Sequence, residues 1–198
     1  MNSTRRFAAA HWPRSLQMSS ALGTALLVGI GIAAYRAIPI PNGFTHGFGT
    51  VVALVLPASL ILSLLFTVTG YIVSPTDLAV QRLFWSTHVP LVGLGAVYAD
   101  PTVCRHSLRI IGNAGLFGFT GLYQSSKLGR YRLFATDISH SVVLVLPGRT
   151  VVVTPSATES FIAHIRQIFP AAQQAPETGN SSRPAHPLRR DHAQGTRY

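Results

Sequence analysis

The chain has 198 residues, of which 47% are hydrophobic and only 11% are charged, and its formal net charge is +10. A typical soluble domain carries about 25% charged residues, so part of this chain is expected to lie outside water. The 6 scattered acidic residues disfavour paired-carboxylate hydrolysis, and the single cysteine excludes an intrachain disulfide and a zinc site built on paired cysteines.

The first apolar run, residues 19–38, reads SSALGTALLVGIGIAAYRAI and carries one charge near its end. Twenty helical residues reach about 30 Å, the thickness of a bilayer's hydrocarbon core. The run therefore predicts a transmembrane helix behind a basic N-terminal segment, residues 1–18. The alternative is a cleaved signal peptide with Arg5, Arg6 and Arg14 as its basic front. The length of the run and the lack of a small-residue cleavage site favour the helix.

The second apolar run, residues 47–70, contains no ionisable side chain and predicts a second transmembrane helix. Pro57 lies in its middle, which membrane helices tolerate because a neighbouring helix satisfies the freed carbonyl. The link at residues 39–46 is rich in proline and glycine and predicts a short external turn between antiparallel helices. Arginines are denser before the first run than in the link, so both chain termini should be cytoplasmic.

Small side chains recur at every fourth position in both apolar runs. Helices in lipid approach each other closely along such stripes. We expect the two stripes to face each other or a second copy of the chain, which would make a homo-oligomer. The stripes are Ala21, Ala25, Gly29 and Ala33 in the first run and Ser59, Ser63 and Thr67 in the second.

Beyond residue 70 the pattern changes to short runs of β-branched and aromatic residues with turn signals about every ten residues. This pattern is typical of an all-β meander or barrel. Residues 71–84 predict a first hairpin, and residues 142–154 (VVLVL-PGR-TVVVT) predict the clearest one. The strands of that second hairpin are apolar on both faces, so we expect them to be central and covered.

A helix start is indicated after this hairpin. Thr154 and Ser156 are cap residues, Pro155 suits the first helical position, and Ser156 with Glu159 fits a capping box. The apolar residues that follow have helical spacing and should cover an open end or face of the sheet: Phe161, Ile162, Ile165, Ile168 and Phe169. Residues 170–198 are polar and proline-rich, which predicts a disordered tail.

Glycines recur at every third position in GNAGLFGFTGLY, residues 112–123. A dinucleotide-binding loop needs G-x-G-x-x-G between a strand and a helix, and a P-loop needs Gly-Lys-Ser/Thr. Neither pattern is present, and strand-like sequence follows the glycines. Because glycine permits positive φ and close backbone approach, we predict a structural role in a bent β segment for Gly112, Gly115, Gly118 and Gly121.

Other motifs for chemistry are also missing from the sequence. It contains no G-x-S-x-G elbow and no H-E-x-x-H helix. Asp137, Ser139 and His140 are neighbours on a predicted turn, where adjacent side chains point in different directions, so we interpret them as a polar loop. We therefore predict no catalytic residue, no metal site and no cofactor.

The run SLRIIGNAGLFGFTGLYQSSKLGRYRLFATD, the VLVL-PGR-VVVT hairpin and TPSATESFIAHI together resemble the bacterial pleckstrin-homology-like (PH-like) domain found behind membrane spans. The resemblance covers residues 71–169. It implies a partly open antiparallel β-barrel capped by a C-terminal helix, with Pro155 as a structural residue, and no enzyme activity. Eukaryotic relatives often bind inositol phospholipids through basic residues around the first hairpin. The corresponding turn here, residues 74–77, has no lysine or arginine.

The sequence as a whole predicts an α+β, two-pass protein of the bacterial inner membrane. We expect it to bind a protein segment at a groove or sheet edge, for example by strand addition, and to bind no nucleic acid. An enzyme with a site in the membrane is disfavoured, because the second run has no ionisable residue. The alternative is a sensor of anionic lipid headgroups whose basic surface comprises Arg105, Arg109, Lys127, Arg130 and Arg132.

Overall fold

A computed structural model of the chain describes residues 4–37 and 44–172. Two long helices, α1 (Arg14–Ala37) and α2 (Phe44–Leu65), pack against each other. α1 begins five residues before the predicted residue 19, because its first turns pack on the β domain and bury Leu16 and Ser20. α2 ends before the predicted residue 70, because the residues after Leu65 turn into a strand.

The two helices differ in their capacity to cross a membrane. Among the described residues, Arg14–Arg36 is the one segment long and apolar enough for a span. The apolar part of α2, Gly49–Leu65, is shorter than this limit. Of the two predicted spans, α1 therefore has the length and composition for a crossing, and the crossings themselves stay predictions. Most of the tail that we predict to be disordered and most of the predicted link lie outside the described residues.

A four-stranded antiparallel sheet contains one strand from before α1 and three strands from after α2. Its order is β1-β2-β3-β4, with strands β1 (Arg5–Ala8), β2 (Val68–Val73), β3 (Asp77–Arg82) and β4 (Ser86–Pro90). β1 lies within residues 1–18, which we had predicted only as a basic segment. Four residues carry too little periodicity to predict a strand, and β1 forms because β2 offers it a pairing edge.

A six-stranded sheet forms the rest of the β domain. Its order is β5-β9-β10-β8-β7-β6, with strands β5 (Ala96–Ala99), β6 (Leu108–Ala114), β7 (Phe119–Ser125), β8 (Gly129–Ala135), β9 (Val142–Leu146) and β10 (Arg149–Val153). β10 runs parallel to β8 because the β9–β10 hairpin places β10 between β8 and β9. The partly open antiparallel barrel that the sequence predicts therefore holds except for this parallel pair, and the two sheets do not close into a barrel.

The predicted hairpin at residues 142–154 is central and covered. Val142, Leu144, Val151 and Val153 belong to the main core between the two sheets. Alternate residues on the other face join a second core under the 101–106 turn, which supplies Val103: these are Val143 and Val152. Strands that are apolar on both faces are thus explained by burial on both faces.

Helix α3 (Thr158–Ile168) covers the main core as predicted, with Phe161 and Ile165 fully buried. The capping box is wrong: the N-cap is Ala157, and no side chain caps the helix. The strand-like N-terminal segment occupies this region, since Pro155 forms a bridge with Ala9 and the Ser156 N–H donates to the Ala8 carbonyl at 3.0 Å.

Buried polar groups at the corner between the two sheets satisfy one another. The Tyr71 hydroxyl donates to the Phe134 carbonyl at 2.7 Å and accepts from the Thr154 N–H at 3.1 Å. The Thr136 hydroxyl donates to the Ala10 carbonyl at 2.7 Å, which ties the N-terminal segment to the six-stranded sheet. Burial raises the pKa of Tyr71 to about 12. The corner is a sealed polar network with nothing left for a ligand.

Candidate functional site

The glycine segment forms the β6–β7 hairpin, where two backbones come into direct contact. Gly112 and Gly121 are opposite each other, both with positive φ. A Cβ on Gly112 would lie 2.1 Å from the Thr120 carbonyl oxygen, and one on Gly121 would lie 2.1 Å from that of Ile111. No other residue type fits this contact, which agrees with a structural rather than a phosphate-binding role.

The turn of this hairpin is compact. Gly115 and Gly118 have positive φ, and the Gly115 N–H donates to the Gly118 carbonyl at 3.2 Å. Phe117 also has positive φ, at 59°, and the Asn113 amide donates to the Leu116 carbonyl. A large residue with positive φ is strained, so its surroundings must hold it in place.

The first turns of α1 hold the hairpin turn. The Phe117 N–H donates to the Ser20 hydroxyl at 3.0 Å, and the Ser19 hydroxyl donates to the Gly115 carbonyl at 2.9 Å. The rings of Phe117 and Trp12 also lie near each other, with centroids 6.0 Å apart. The glycine segment is therefore the contact through which the β domain holds α1.

A cavity of about 640 Å³ opens beside the end of α2. It lies between α2, strands β3 and β4, and the β6–β8 half of the six-stranded sheet. Among the described residues, its lining contains two arginines, Arg82 and Arg132, and no carboxylate. Other residues that line it are Leu62, Phe66, Thr87, Ile111, Leu122 and Phe134.

Arg82 is the buried cation of this cavity. Its guanidinium donates to the Phe66 carbonyl at 2.5 Å and to the Thr87 hydroxyl at 3.3 Å. It also lies over the rings of Phe66 and Phe134, at 5.0 and 5.6 Å from their centroids. Burial lowers the pKa of Arg82, and no carboxylate in the described part of the chain forms an ion pair with it. Sequence reasoning missed Arg82, although a lone arginine ending an apolar strand was a usable signal.

The five basic residues predicted for lipid binding do not form one surface. Arg130 and Arg132 lie on the cavity face of β8, because the intervening Tyr131 belongs to the second core. Arg109 is opposite Tyr123, on the other face. The remaining two lie beside that second core, Arg105 exposed on the 101–106 turn and Lys127 with its ammonium 3.9 Å from an Asp100 oxygen.

An exposed apolar loop joins β3 to β4 at the end of α2. Leu83 is 50% exposed, Phe84 76% and Trp85 39%. The Trp85 ring packs edge-on against Phe66, with centroids 5.2 Å apart, just after the last residue of α2. Aromatic side chains in such a position are typical of a membrane–water interface.

Strand β6 is an edge of the six-stranded sheet and carries exposed apolar side chains. Leu108 is 75% exposed and Ile111 72%, with Ile110 less so. The pairing with β7 shifts between Arg109 and Ile111, so β6 contains a bulge. An exposed apolar edge offers both unpaired backbone groups and side-chain contacts to a partner strand.

The small-residue stripe of α1 does not face α2. Its residues Ala21, Ala25 and Ala33 are exposed, and no atom lies within 4 Å of a Cβ built on Gly29. A second cavity lies between the two helices. Leu27, Gly31 and Tyr35 of α1 line it together with Ala53, Pro57 and Leu60 of α2. Pairing of the stripe with a second copy of the chain stays a prediction.

The Asp137, Ser139 and His140 cluster is a local cap rather than a catalytic triad. Asp137 accepts from the Ser139 N–H at 2.9 Å and caps a short 3-10 helix, Ile138–His140. The same ring nitrogen of His140 contacts both Asp137 and Ser139, whereas a triad uses the two nitrogens separately. The described residues also contain no group of three or more metal-ligating side chains.

Two open sheets and a covering C-terminal helix define an α+β domain, and one of the helices that precede it is long and apolar enough to cross a membrane. A sequence model of the bacterial PH domain family matches residues 69–168, half of the chain, and the chain belongs to that family. Comparisons with curated proteins and with solved structures find no significant match. PH domains are generally non-catalytic modules that bind proteins or lipids.

Proposed function

We propose that this chain is a membrane-anchored interaction module. In this proposal, α1 and α2 cross the bacterial cytoplasmic membrane as a hairpin, and both chain termini are cytoplasmic. The PH domain then binds an extended segment of a protein partner along β6. The exposed apolar edge of β6 is the observation that carries the partner proposal.

The pairing of β1 with β2 supports an even number of crossings. β1 precedes α1, β2 follows α2, and the two strands are neighbours in one sheet. A single crossing would place these strands on opposite sides of the bilayer. Since α1 is long enough to span, α2 should return the chain across the membrane. Arg5, Arg6 and Arg14 then lie on the domain's side, which the positive-inside rule makes cytoplasmic.

Cysteine labelling tests this arrangement. In a Cys104→Ser background, Asn42→Cys and Ser126→Cys are compared in intact cells with a maleimide that does not cross membranes. We expect Asn42→Cys to react in cells with a permeabilised outer membrane, and Ser126→Cys to react only after the inner membrane is opened. Labelling of both positions from the same side would contradict two crossings.

The chemistry of β6 defines the partner segment. Leu108 and Ile111 would contact apolar side chains, while the free backbone groups of the edge would pair with an extended strand. The bulge near Ile110 limits the length of pairing, so the segment should be short. This mode of binding needs no pocket and no charge on the partner.

Photocrosslinking in native membranes tests the partner proposal. A photoreactive amino acid replaces Ile110, and the adducts are identified by mass spectrometry. We expect one discrete protein adduct that Leu108→Glu abolishes. Gln124→Glu is the matched control, because Gln124 is exposed and lies opposite Leu108 on the neighbouring strand β7. Adducts with lipid alone, or an adduct that survives Leu108→Glu, would contradict binding at this edge.

A further inference from the structure

The cavity beside α2 is positively charged and its charge is unbalanced. Arg82 and Arg132 line it, and no aspartate or glutamate from residues 4–37 or 44–172 does. Asp77, Asp100 and Asp137 have their own partners elsewhere, on His88, Lys127 and His140 respectively. Two cations near a low-dielectric wall attract an anion more strongly than the same charges in open solvent do.

The two arginines differ in freedom. Arg82 is fixed by the Phe66 carbonyl and the Thr87 hydroxyl. Arg132 is exposed at the cavity, and within the described ranges no hydrogen bond or ion pair engages its side chain. A guanidinium without a partner presents a planar fork of donors that matches a phosphate. Arg132 is therefore the group that would bind the anion directly, with Arg82 adding charge behind it.

Apolar side chains form a large part of the remaining lining, together with two glycines and the neutral polar Ser63, Thr87, Asn113 and Thr120, and the apolar part continues onto α2. Leu62 of α2 and Phe66, the first residue after that helix, line the cavity together with Ile111 and Leu122 of the six-stranded sheet. The neighbouring residues of α2, Ile61 and Leu64, are exposed, as lipid-facing side chains are. A ligand in this cavity would meet cations at one part and hydrocarbon at the other.

We propose that this cavity binds one anionic phospholipid of the surrounding bilayer, with its phosphate on Arg132 and Arg82 and an acyl chain along Leu62 and Phe66. A phosphate group alone would also suit the arginines, but it would leave the apolar part of the lining unused. The inference rests on the membrane placement of the helices proposed above, which the cysteine labelling tests separately. It differs from a basic surface because four of the five predicted basic residues do not line the cavity.

The test uses the full-length protein in detergent micelles and native mass spectrometry. Dioleoyl phosphatidylglycerol and dioleoyl phosphatidylcholine are titrated separately onto the wild type, Arg132→Gln and Arg130→Gln. Arg130 is the matched control, because it lies on the same face of the same strand, is exposed and does not line the cavity. We expect one tightly bound phosphatidylglycerol, about tenfold weaker binding in Arg132→Gln, and no change in Arg130→Gln.

Two further measurements distinguish a bound phospholipid from a bound soluble anion. Ile111→Asn should weaken the binding of phosphatidylglycerol, and inorganic phosphate at millimolar concentration should not displace the lipid. Equal losses in Arg132→Gln and Arg130→Gln would overturn the cavity in favour of a diffuse basic surface. Equal affinity for phosphatidylcholine, or displacement of the lipid by inorganic phosphate, would overturn the anionic lipid as the ligand. Both arginine variants should keep the wild-type melting temperature, because both side chains are exposed.

Discussion

The two halves of the six-stranded sheet differ in what covers them. In the β9–β10 half both faces are buried, under the four-stranded sheet with α3 on one side and the 101–106 turn on the other. In the β6–β8 half, the cavity face is separated by the cavity from the end of α2 and from Arg82 and Thr87 of the other sheet, and Leu108 and Ile111 are exposed. The closed half holds the fold together, and the open half retains the unpaired backbone edge and charge that binding requires.

Polar groups follow the same division. At the buried corner between the two sheets, Tyr71, Thr136 and Thr154 bond to one another or to backbone groups. At the cavity beside the open half, Arg82 of β3 has no carboxylate partner among the described residues, and Arg132 of β8 lines the same cavity. A buried charge without an opposite charge is destabilising, so the position of Arg82 at the cavity indicates where an anionic ligand would stabilise the protein.

The largest effect is expected from removing a ring of α3, the helix that covers the closed half. Phe161 is fully buried and packs on Phe7, so Phe161→Ala should lower the free energy of unfolding by about 3–5 kcal/mol. Phe84→Ala, in the exposed loop beside α2, is the control with the same chemistry and should change it by less than about 0.5 kcal/mol. Urea unfolding of the full chain in micelles measures both. Similar losses would erase the distinction between the two halves.

The open half should have one rigid point, at the glycine contact. Gly121→Ala places a Cβ 2.1 Å from the Ile111 carbonyl oxygen, and we expect a loss of about 3 kcal/mol. Gly129→Ala is the control, because Gly129 also has positive φ but no atom lies within 4 Å of its added Cβ. That change should cost about 1 kcal/mol. Equal costs would show that the backbone contact does not constrain the bend.

The sealed corner predicts a smaller loss for Tyr71→Phe. The variant leaves the Phe134 carbonyl and the Thr154 N–H without their buried partner, so stability should fall by about 2 kcal/mol. Tyr98→Phe is the control: Tyr98 is only half-buried, and its hydroxyl forms no hydrogen bond within the described residues, so its stability should not change measurably. An unchanged Tyr71→Phe would mean that water replaces the hydroxyl and that the corner is not sealed.

Alkaline pH should weaken the same corner. The pKa of Tyr71 is raised from 10.0 to about 12 in the folded chain, so the unfolded chain loses this proton first as pH rises. The contribution of the protonated Tyr71 hydroxyl to the free energy of unfolding is complete below pH 10 and is lost as pH rises towards 12. About 1 kcal/mol of it is lost at pH 10.5. Tyr123 and Tyr131 shift in the same direction. The pH dependence of stability that is due to Tyr71 is therefore the difference between the wild type and Tyr71→Phe. Equal pH dependence of the free energy of unfolding in the two proteins would contradict the raised pKa of Tyr71.

Features with a local cause could be predicted from the sequence. The hairpin at residues 142–154 is apolar on both faces, and this pattern predicted that both faces are buried. The helical spacing of Phe161 and Ile165 predicted which face of α3 packs on the core. The glycine spacing indicated a bend because only glycine permits such a backbone contact. Each of these patterns encodes its own environment within a few residues.

Features that depend on distant partners could not be predicted. β1 exists because β2 pairs with it, more than sixty positions along the chain, and its contact with Pro155 displaces the expected helix cap. The parallel pairing of β10 with β8 depends on strand order, which periodicity does not report. Arg82 and Arg132 line one cavity although they lie on different sheets and fifty positions apart in sequence. The sequence does not show that these sheets meet, so Arg132 was predicted as a binding residue and Arg82 was not.

Tryptophan quenching in vesicles tests most directly whether the open half faces the bilayer. Trp85 lies beside the end of α2, whereas α3 reaches β5, where Arg166 donates to the Val97 carbonyl at 3.0 Å. The edges β5 and β6 are about 24 Å apart, at five strand spacings.

Two single-tryptophan proteins carry the probe. Trp12→Phe retains Trp85, and the triple variant Trp12→Phe, Trp85→Phe, Phe169→Trp places the probe at the end of α3. Brominated phospholipids should quench Trp85 strongly and leave the probe at position 169 unchanged. Unquenched Trp85, or equal quenching at both positions, would contradict the placement of the open half against the membrane.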